Sequence, residues 1–239
     1  MEIQIDQTKP GDNWEFDAEV TQVFDNMLQR SIPQYEIMRK ACFDIGSKYI
    51  EPDYAIVDLG CSRGEALYPF ILKYKQANKY IGIEVSKPMY EAARLRFKSI
   101  IGIEQNIELY NYDLRNHYPE DKACLTLAIL TVQFIPIEYR QRIIQKIYNH
   151  TKPGGALIFV EKILGANAEL DSIMVDIYYQ LKAANGYSEE AIKRKRLSLE
   201  GVLVPVTAKW NEELLKMAGF KQVDCFWRWM NFAGWIAIR

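Results

Sequence analysis

An α/β domain built on a doubly wound, mostly parallel sheet is the fold class this sequence predicts, and three observations predict it. Short apolar runs alternate with segments of helical periodicity from residue 55 to residue 161. The first run, Ala55-Ile56-Val57-Asp58-Leu59, passes into the glycine-rich bend Gly60-Cys61-Ser62-Arg63-Gly64. Acids also recur where the runs end: Asp58, then Glu84, then Asp113.

The bend reads as a buried strand entering a tight turn and then a helix. Glycine at Gly60 and Gly64 is expected to let the backbone approach a ligand lying across the strand's carboxyl end. The spacing is D-x-G-x-x-x-G, not the G-x-G-x-x-G that sets amides around a pyrophosphate. A nucleoside without phosphates is therefore the expected ligand, and S-adenosylmethionine fits that description. Glu84 closes the run Lys79-Tyr80-Ile81-Gly82-Ile83, where a carboxylate can accept both ribose hydroxyls. Asp113 follows a third run, placed to take an adenine amino hydrogen while Leu114 donates its backbone amide. Cys61 occupies the bend as a small side chain, not as a reactive thiol.

Ahead of the first strand, residues 1 to 13 read as a loose arm with a Lys9-Pro10-Gly11-Asp12 turn. Phe16, Val20, Val23, Phe24 and Met27 recur at helical spacing, Ser31-Ile32-Pro33 interrupts them, and a second helix runs from Tyr35 to about Tyr49. Residues 12–52 are thus expected to form a helical lid, with Arg30, Tyr35 and Arg39 facing the ligand. Strands are expected at 55–59, 79–84, 106–110, 123–129 and 155–161, and helices at 64–76, 87–99 and 136–150. Ser86 and Pro88 mark a helix start beside Glu84, and Lys152-Pro153-Gly154-Gly155 reads as a tight turn.

After Glu161-Lys162 the alternation stops, and residues 165–209 read as a helical insertion over the carboxyl edge of the sheet, carrying the basic run Lys193 to Arg196. A helix at 210–218, ended by Gly219, and a hairpin of 222–227 with 234–238 complete a seven-stranded sheet whose last strand is antiparallel. The chain reads as one domain, 1–239.

Thirty basic residues against 31 acidic ones leave a formal charge of -1, so no overall field exists to grip a polynucleotide or an anionic membrane. No apolar stretch is long enough to span a bilayer and no leader is evident, which points to the cytoplasm. The four cysteines form no C-x-x-C, so neither a metal site nor a disulfide framework is expected. His117 and His150 read as surface residues.

The bend, the strand order and the terminal hairpin resemble class I S-adenosylmethionine-dependent methyltransferases, a Rossmann-like fold. The flanks are more specific: Gln29-Arg30-Ser31-Ile32-Pro33-Gln34-Tyr35, Gln133-Phe134, Ala184-Asn185-Gly186-Tyr187-Ser188-Glu189 and Lys195-Arg196 resemble the carboxy-S-adenosyl-L-methionine synthase family. The resemblance extends from about residue 12 to the end. It implies binding of S-adenosylmethionine, or its carboxylated form, and transfer of a carboxyl group from prephenate to the methyl carbon. It further implies a homodimer and a partner enzyme that modifies the wobble uridine of tRNA.

By the same resemblance Tyr35, Gly60, Cys61, Ser62, Glu84, Val85, Asp113 and Leu114 hold the cofactor alongside Asp58, and Arg196 grips the new carboxylate through paired guanidinium donors. Tyr187 and Arg30 are assigned to the acidic substrate. Glu84 stands where the family has aspartate and Ile129 where it has a cofactor-contacting asparagine, while Arg63 and Glu65 add charge to the bend. Two other readings stay open: a methyltransferase for a small acidic molecule, and a non-catalytic cofactor-binding subunit of a tRNA-modifying complex.

Overall fold

The structure is a computed structural model that describes residues 5–11, 13–100 and 106–239. Asp12, the last residue of the expected arm turn and the first of the expected lid, lies outside the described residues, as do the first four.

Two helices come first, α1 (Ala18–Ser31) and α2 (Tyr35–Gly46). Asp17 caps α1 by accepting the Val20 amide at 2.9 Å, a bond worth about 1 kcal/mol. Between the helices Gln34 adopts a left-handed φ of 51°, and its Oε1 accepts the Trp227 indole N–H at 3.0 Å.

Strand β1 (Ala55–Leu59) follows, then α3 (Tyr68–Tyr74), β2 (Lys79–Ile83), α4 (Lys87–Lys98), β3 (Ile107–Tyr110), β4 (Ala123–Ile129), α5 (Ile137–His150) and β5 (Thr151–Leu164). Next come α6 (Ala168–Ala184), α7 (Glu189–Ser198), the two-residue β6 (Val206–Thr207), α8 (Ala208–Met217), β7 (Gln222–Trp229) and β8 (Phe232–Ile238). The sheet order is β3-β2-β1-β4-β5-β8-β7, with β6 pairing only β5. Strands β1 to β5 pair in parallel, and β8 runs antiparallel to both neighbours.

Three elements depart most from expectation. The helix after the bend begins at Tyr68, not Gly64, because Gly64 sits at φ 85° and its N–H closes a turn onto the Cys61 carbonyl at 2.7 Å. Strand β5 begins at Thr151, four residues early, since the Gly154 amide donates to the Arg239 carbonyl at 2.8 Å and so extends the pairing with the chain end. The short β6 makes an eighth strand.

Each face of the sheet buries its own core. Leu157 and Phe159 point to α5 and α8, meeting Ile143, Ile147 and Leu215. Ala156, Ile158 and Val160 point the other way, into the core that holds Met38, Phe70 and Phe97 from α2, α3 and α4. Helix α1 joins the second layer through Val20, Phe24 and Met27 packed with Met89. Among the described residues no helix is long and apolar enough to cross a membrane.

Candidate functional site

The carboxyl ends of β1, β2 and β4 open on a cavity of about 400 Å³ covered by α1 and α2. At the β1 end Asp58 is 2 % exposed and its Oδ2 meets no hydrogen-bond partner. Burial pushes that carboxyl up to about 8, with Arg39 pulling it back. The Gly60 and Cys61 amides both donate to the Ile83 carbonyl, at 2.8 and 2.9 Å, tying the bend to β2.

The two glycines serve packing more than ligand approach. A Cβ on Gly60 would lie 2.6 Å from the Thr131 side chain, and one on Gly64 2.3 Å from the Phe97 ring. Gly60 borders the cavity and Gly64 does not. Cys61 borders it too, but burial, reinforced by Asp58 and Glu84, raises its thiol far from reactivity.

Glu84 accepts the Ser62 amide at Oε2 and the Ser86 amide at Oε1, each at 2.8 Å. Each oxygen retains lone-pair capacity toward the cavity that Glu84 lines. Burial raises its pKa and the amides oppose the rise. Val85 and Leu114 complete this rim with Asp113. The Asp113 carboxylate is braced by Arg115, whose guanidinium approaches to 2.6 Å and whose backbone N–H donates at 2.8 Å; these contacts hold its pKa below the ordinary value.

Ile129 lines the cavity at the end of β4. The turn beyond it is fastened from β5, where Glu161 accepts the amides of Thr131, Val132 and Gln133 at 3.2, 2.9 and 2.6 Å. Burial pushes Glu161 up to about 8 against the pull of those amides and Arg140. The opposing wall is aromatic, with Phe16 edge-on to Phe134 at 5.1 Å and to Trp14 at 5.9 Å. Tyr35 joins from α2, its phenol raised to about 12 by burial.

Ten of the expected residues therefore meet around one cavity: Tyr35, Asp58, Gly60, Cys61, Ser62, Glu84, Val85, Asp113, Leu114 and Ile129. Arg39 borders it as well. Three do not. The Arg30 guanidinium lies 4.1 Å over the Tyr187 ring and its Nε donates to the Asn185 carbonyl at 2.8 Å, while the Tyr187 hydroxyl donates to Asp6 at 2.5 Å. Both expected substrate contacts are thus spent bracing α1 against the link between α6 and α7. Arg196 is exposed on α7 beside Tyr179 and does not border the cavity of its own chain.

Missing from the expected site are Lys162, Lys195 and Tyr178, which all line the cavity, and the buried Lys182 beside Tyr178. One signal was present: Lys182 falls one helical turn after Tyr178, on an apolar face.

The residues present fit an adenosyl group. Acceptors with spare capacity stand at the β2 tip and after β3, an unpartnered carboxylate oxygen lies beneath the bend, and an apolar wall faces them. A methyltransferase domain family model matches residues 56–155. The carboxy-S-adenosyl-L-methionine synthase of Nautilia profundicola is 39% identical over 226 residues, covering 95% of this chain and 94% of the relative. That of Wolinella succinogenes is 38% identical, covering 94% and 92%.

Among solved structures, an O-methyltransferase family protein from Burkholderia thailandensis superposes with a TM-score of 0.64 at 14% identity, over 94% of this chain and 60% of that one. Human N-acetylserotonin methyltransferase in complex with SAM gives 0.59 at 16%, over 93% of this chain and 55% of its own. The chain spans little more than half of either solved protein, and the likeness is one of fold. Its match to the bacterial relatives runs nearly end to end in both partners, and by that match the chain belongs to the carboxy-S-adenosyl-L-methionine synthase family.

Proposed function

We propose that the protein binds S-adenosylmethionine across the tips of β1 to β3 and converts it to carboxy-S-adenosylmethionine with prephenate as donor. The observation that carries this reading is the reach of the cavity: it continues past the Glu84 and Asp113 rim to Lys162 on β5, leaving room beside an adenosyl group for a second, acidic molecule. The sulfonium supplies an acidified methyl group. The donor's carboxyl carbon is transferred to that methyl carbon, and the displaced methyl proton leaves with the donor's hydroxyl as water, giving phenylpyruvate. This balance calls for position and exclusion of water more than for a strong base, consistent with the aromatic wall and with histidines 117 and 150 standing off the cavity.

In this reading Glu84 and Asp113 orient the nucleoside, and Arg196 grips the new carboxylate. Because Arg196 does not border its own cavity, that role requires a homodimer in which a second copy presents α7. The exposed Leu170, Ile173 and Leu197 on α6 and α7 offer apolar surface for such packing. The product would serve a tRNA-modifying partner enzyme in the cytoplasm. A second reading, methyl transfer to a small acidic molecule, draws support from Ile129 in place of the family's asparagine.

Mass spectrometry of products formed from S-adenosylmethionine and prephenate separates the two. Cofactor heavier by a carboxylate, with phenylpyruvate released, is expected; unmodified or demethylated cofactor alone would sink the carboxyl-transfer reading.

A further inference from the structure

Lys162, Lys182 and Lys195 come from β5, α6 and α7, and their ammonium groups converge on one aromatic corner. Lys162 Nζ lies 5.1 Å from the Tyr178 ring centroid, and Lys182 Nζ lies 5.6 Å from Tyr178 and 5.2 Å from Tyr187. Lys195 Nζ lies 4.5 Å from Trp14 and 6.0 Å from Tyr187. Lys182 is 5 % exposed and the Lys195 side chain 12 %. Gathering like charges away from water is unfavourable unless a counter-charge arrives.

The counter-charges already there, Asp6 and Asp171, are fewer than the cations. Asp6, 3.9 Å from Lys195, accepts the Tyr187 hydroxyl at 2.5 Å and the Thr8 hydroxyl at 2.7 Å. Asp171 acts on Lys162 while its Oδ1 accepts the Gly165 amide at 2.7 Å. Arg30 adds a further positive charge near Lys195. Among the described residues no hydrogen bond holds Lys195 Nζ, and both Lys162 and Lys195 line the cavity.

Position separates this corner from the nucleoside rim. In the order β2-β1-β4-β5 the strand bearing Lys162 stands three steps from the one that leads into Glu84, roughly 14 Å at the usual strand spacing. The corner therefore belongs to the second reactant. Chemistry then says which part of it. A carboxylate that is lost as carbon dioxide surrenders its charge, so a cation bound to it steadies the starting anion and opposes the loss. The grip has to fall on a different acid group, leaving the departing one against the apolar wall.

We propose that Lys162 and Lys195, with Lys182 behind them, form an anion subsite that binds the non-reacting carboxylate of a dicarboxylic carboxyl donor. The assignment rests on the carboxyl-transfer reading above. Burial, reinforced by neighbouring lysines, lowers Lys182 to about 7, and burial lowers Lys195 to about 8. An arriving carboxylate favours their charged forms, so donor binding takes up protons at neutral and slightly alkaline pH.

Steady-state assays of the full-length protein with S-adenosylmethionine and prephenate test this, comparing wild type with Lys162→Met, Lys182→Met and Lys195→Met, and with Lys209→Met on the surface as control. Lys162→Met and Lys195→Met are expected to raise KM for prephenate about tenfold or more, with S-adenosylmethionine affinity retained. Calorimetry in buffers of different ionisation enthalpy should show proton uptake on prephenate binding that Lys182→Met diminishes. If a methionine variant loses S-adenosylmethionine binding through misfolding, Lys162→Arg and Lys195→Arg replace it and should keep KM near wild type. Carboxylated product with an unchanged KM in the methionine variants would overturn the subsite and leave carboxyl transfer standing. Absence of carboxylated product from wild type would overturn carboxyl transfer; calorimetric prephenate affinity, lowered or not by Lys162→Met, then decides the subsite alone.

Discussion

Glu84 at the tip of β2 accepts the Ser62 amide of the β1 bend at 2.8 Å, so one carboxylate both shapes the bend and faces the cavity. Glu84→Gln places an amide group where two N–H donors converge, from Ser62 and Ser86. It is expected to cost about 1–3 kcal/mol in stability and to weaken S-adenosylmethionine binding about tenfold or more, read by thermal melts and calorimetry. Glu84→Asp keeps the charge and should lose less of both.

Glu161 is the fastening of the turn at 131–134, and its three amide bonds make it a positioning residue. Glu161→Gln retains the volume but accepts fewer of those donors, an expected loss of about 1–3 kcal/mol. Through displacement of Ile129 and Phe134 it should also lower kcat more than it raises KM. Equal activity with lowered thermal stability would leave Glu161 a purely structural fastening.

Buried charge gives the ligand-free protein a distinctive stability profile. Asp58 and Glu161, raised to about 8 from 3.8 and 4.5, retain protons that the unfolded chain releases, so their contribution is full in acid and is lost as pH climbs to about 8. Lys182 and Lys195, lowered to about 7 and 8 from 10.5, behave oppositely: their contribution is full above 10.5 and is lost as pH falls through those values. Thermal melts should therefore pass through a minimum near pH 8. Asp58→Asn is expected to flatten the acid limb and Lys182→Met the alkaline one. A maximum near pH 8 would contradict the assignment.

Ile129→Asn adds a polar group to the cavity wall. One added hydrogen bond should tighten S-adenosylmethionine binding by about threefold to tenfold. Calorimetry reads the change directly.

Donation of Arg196 between copies is tested by mixing two inactive variants, Arg196→Ala and Glu84→Ala. A hybrid dimer has one sound cavity served by one sound arginine, so random reassortment should recover about a quarter of the sites. Recovery of nothing from a mixture shown to exchange subunits would place the arginine's action, if any, within its own chain.

The parts of the site that were legible in the sequence are the ones built from local chain. Asp58, Gly60 and Ser62 sit within five residues of one another at a strand end, and Glu84 and Asp113 close later strands, so order along the chain determined their place along the rim. What escaped depends on how separate helices are rotated against one another. The run Lys193 to Arg196 shows four cations in sequence, yet packing turns Lys195 toward Trp14 and leaves Arg196 exposed. Arg30 and Tyr187, 157 positions apart, looked like free donors because nothing local reveals that they stack on each other. The early start of β5 escaped for a similar reason: Pro153 and Gly154 spell a turn until the distant Arg239 carbonyl supplies a pairing partner.

Glu161 and Lys162 are consecutive in β5, so the pleat sends one beneath the turn at 131–134 and the other toward Tyr178. Sliding that strand by a single position would exchange them, installing a negative group in the cavity and stranding a cation among the isoleucines of α5. The sign of the cavity's electric potential is thus written into strand alignment. A misaligned molecule would repel the acidic donor proposed above as well as pack badly.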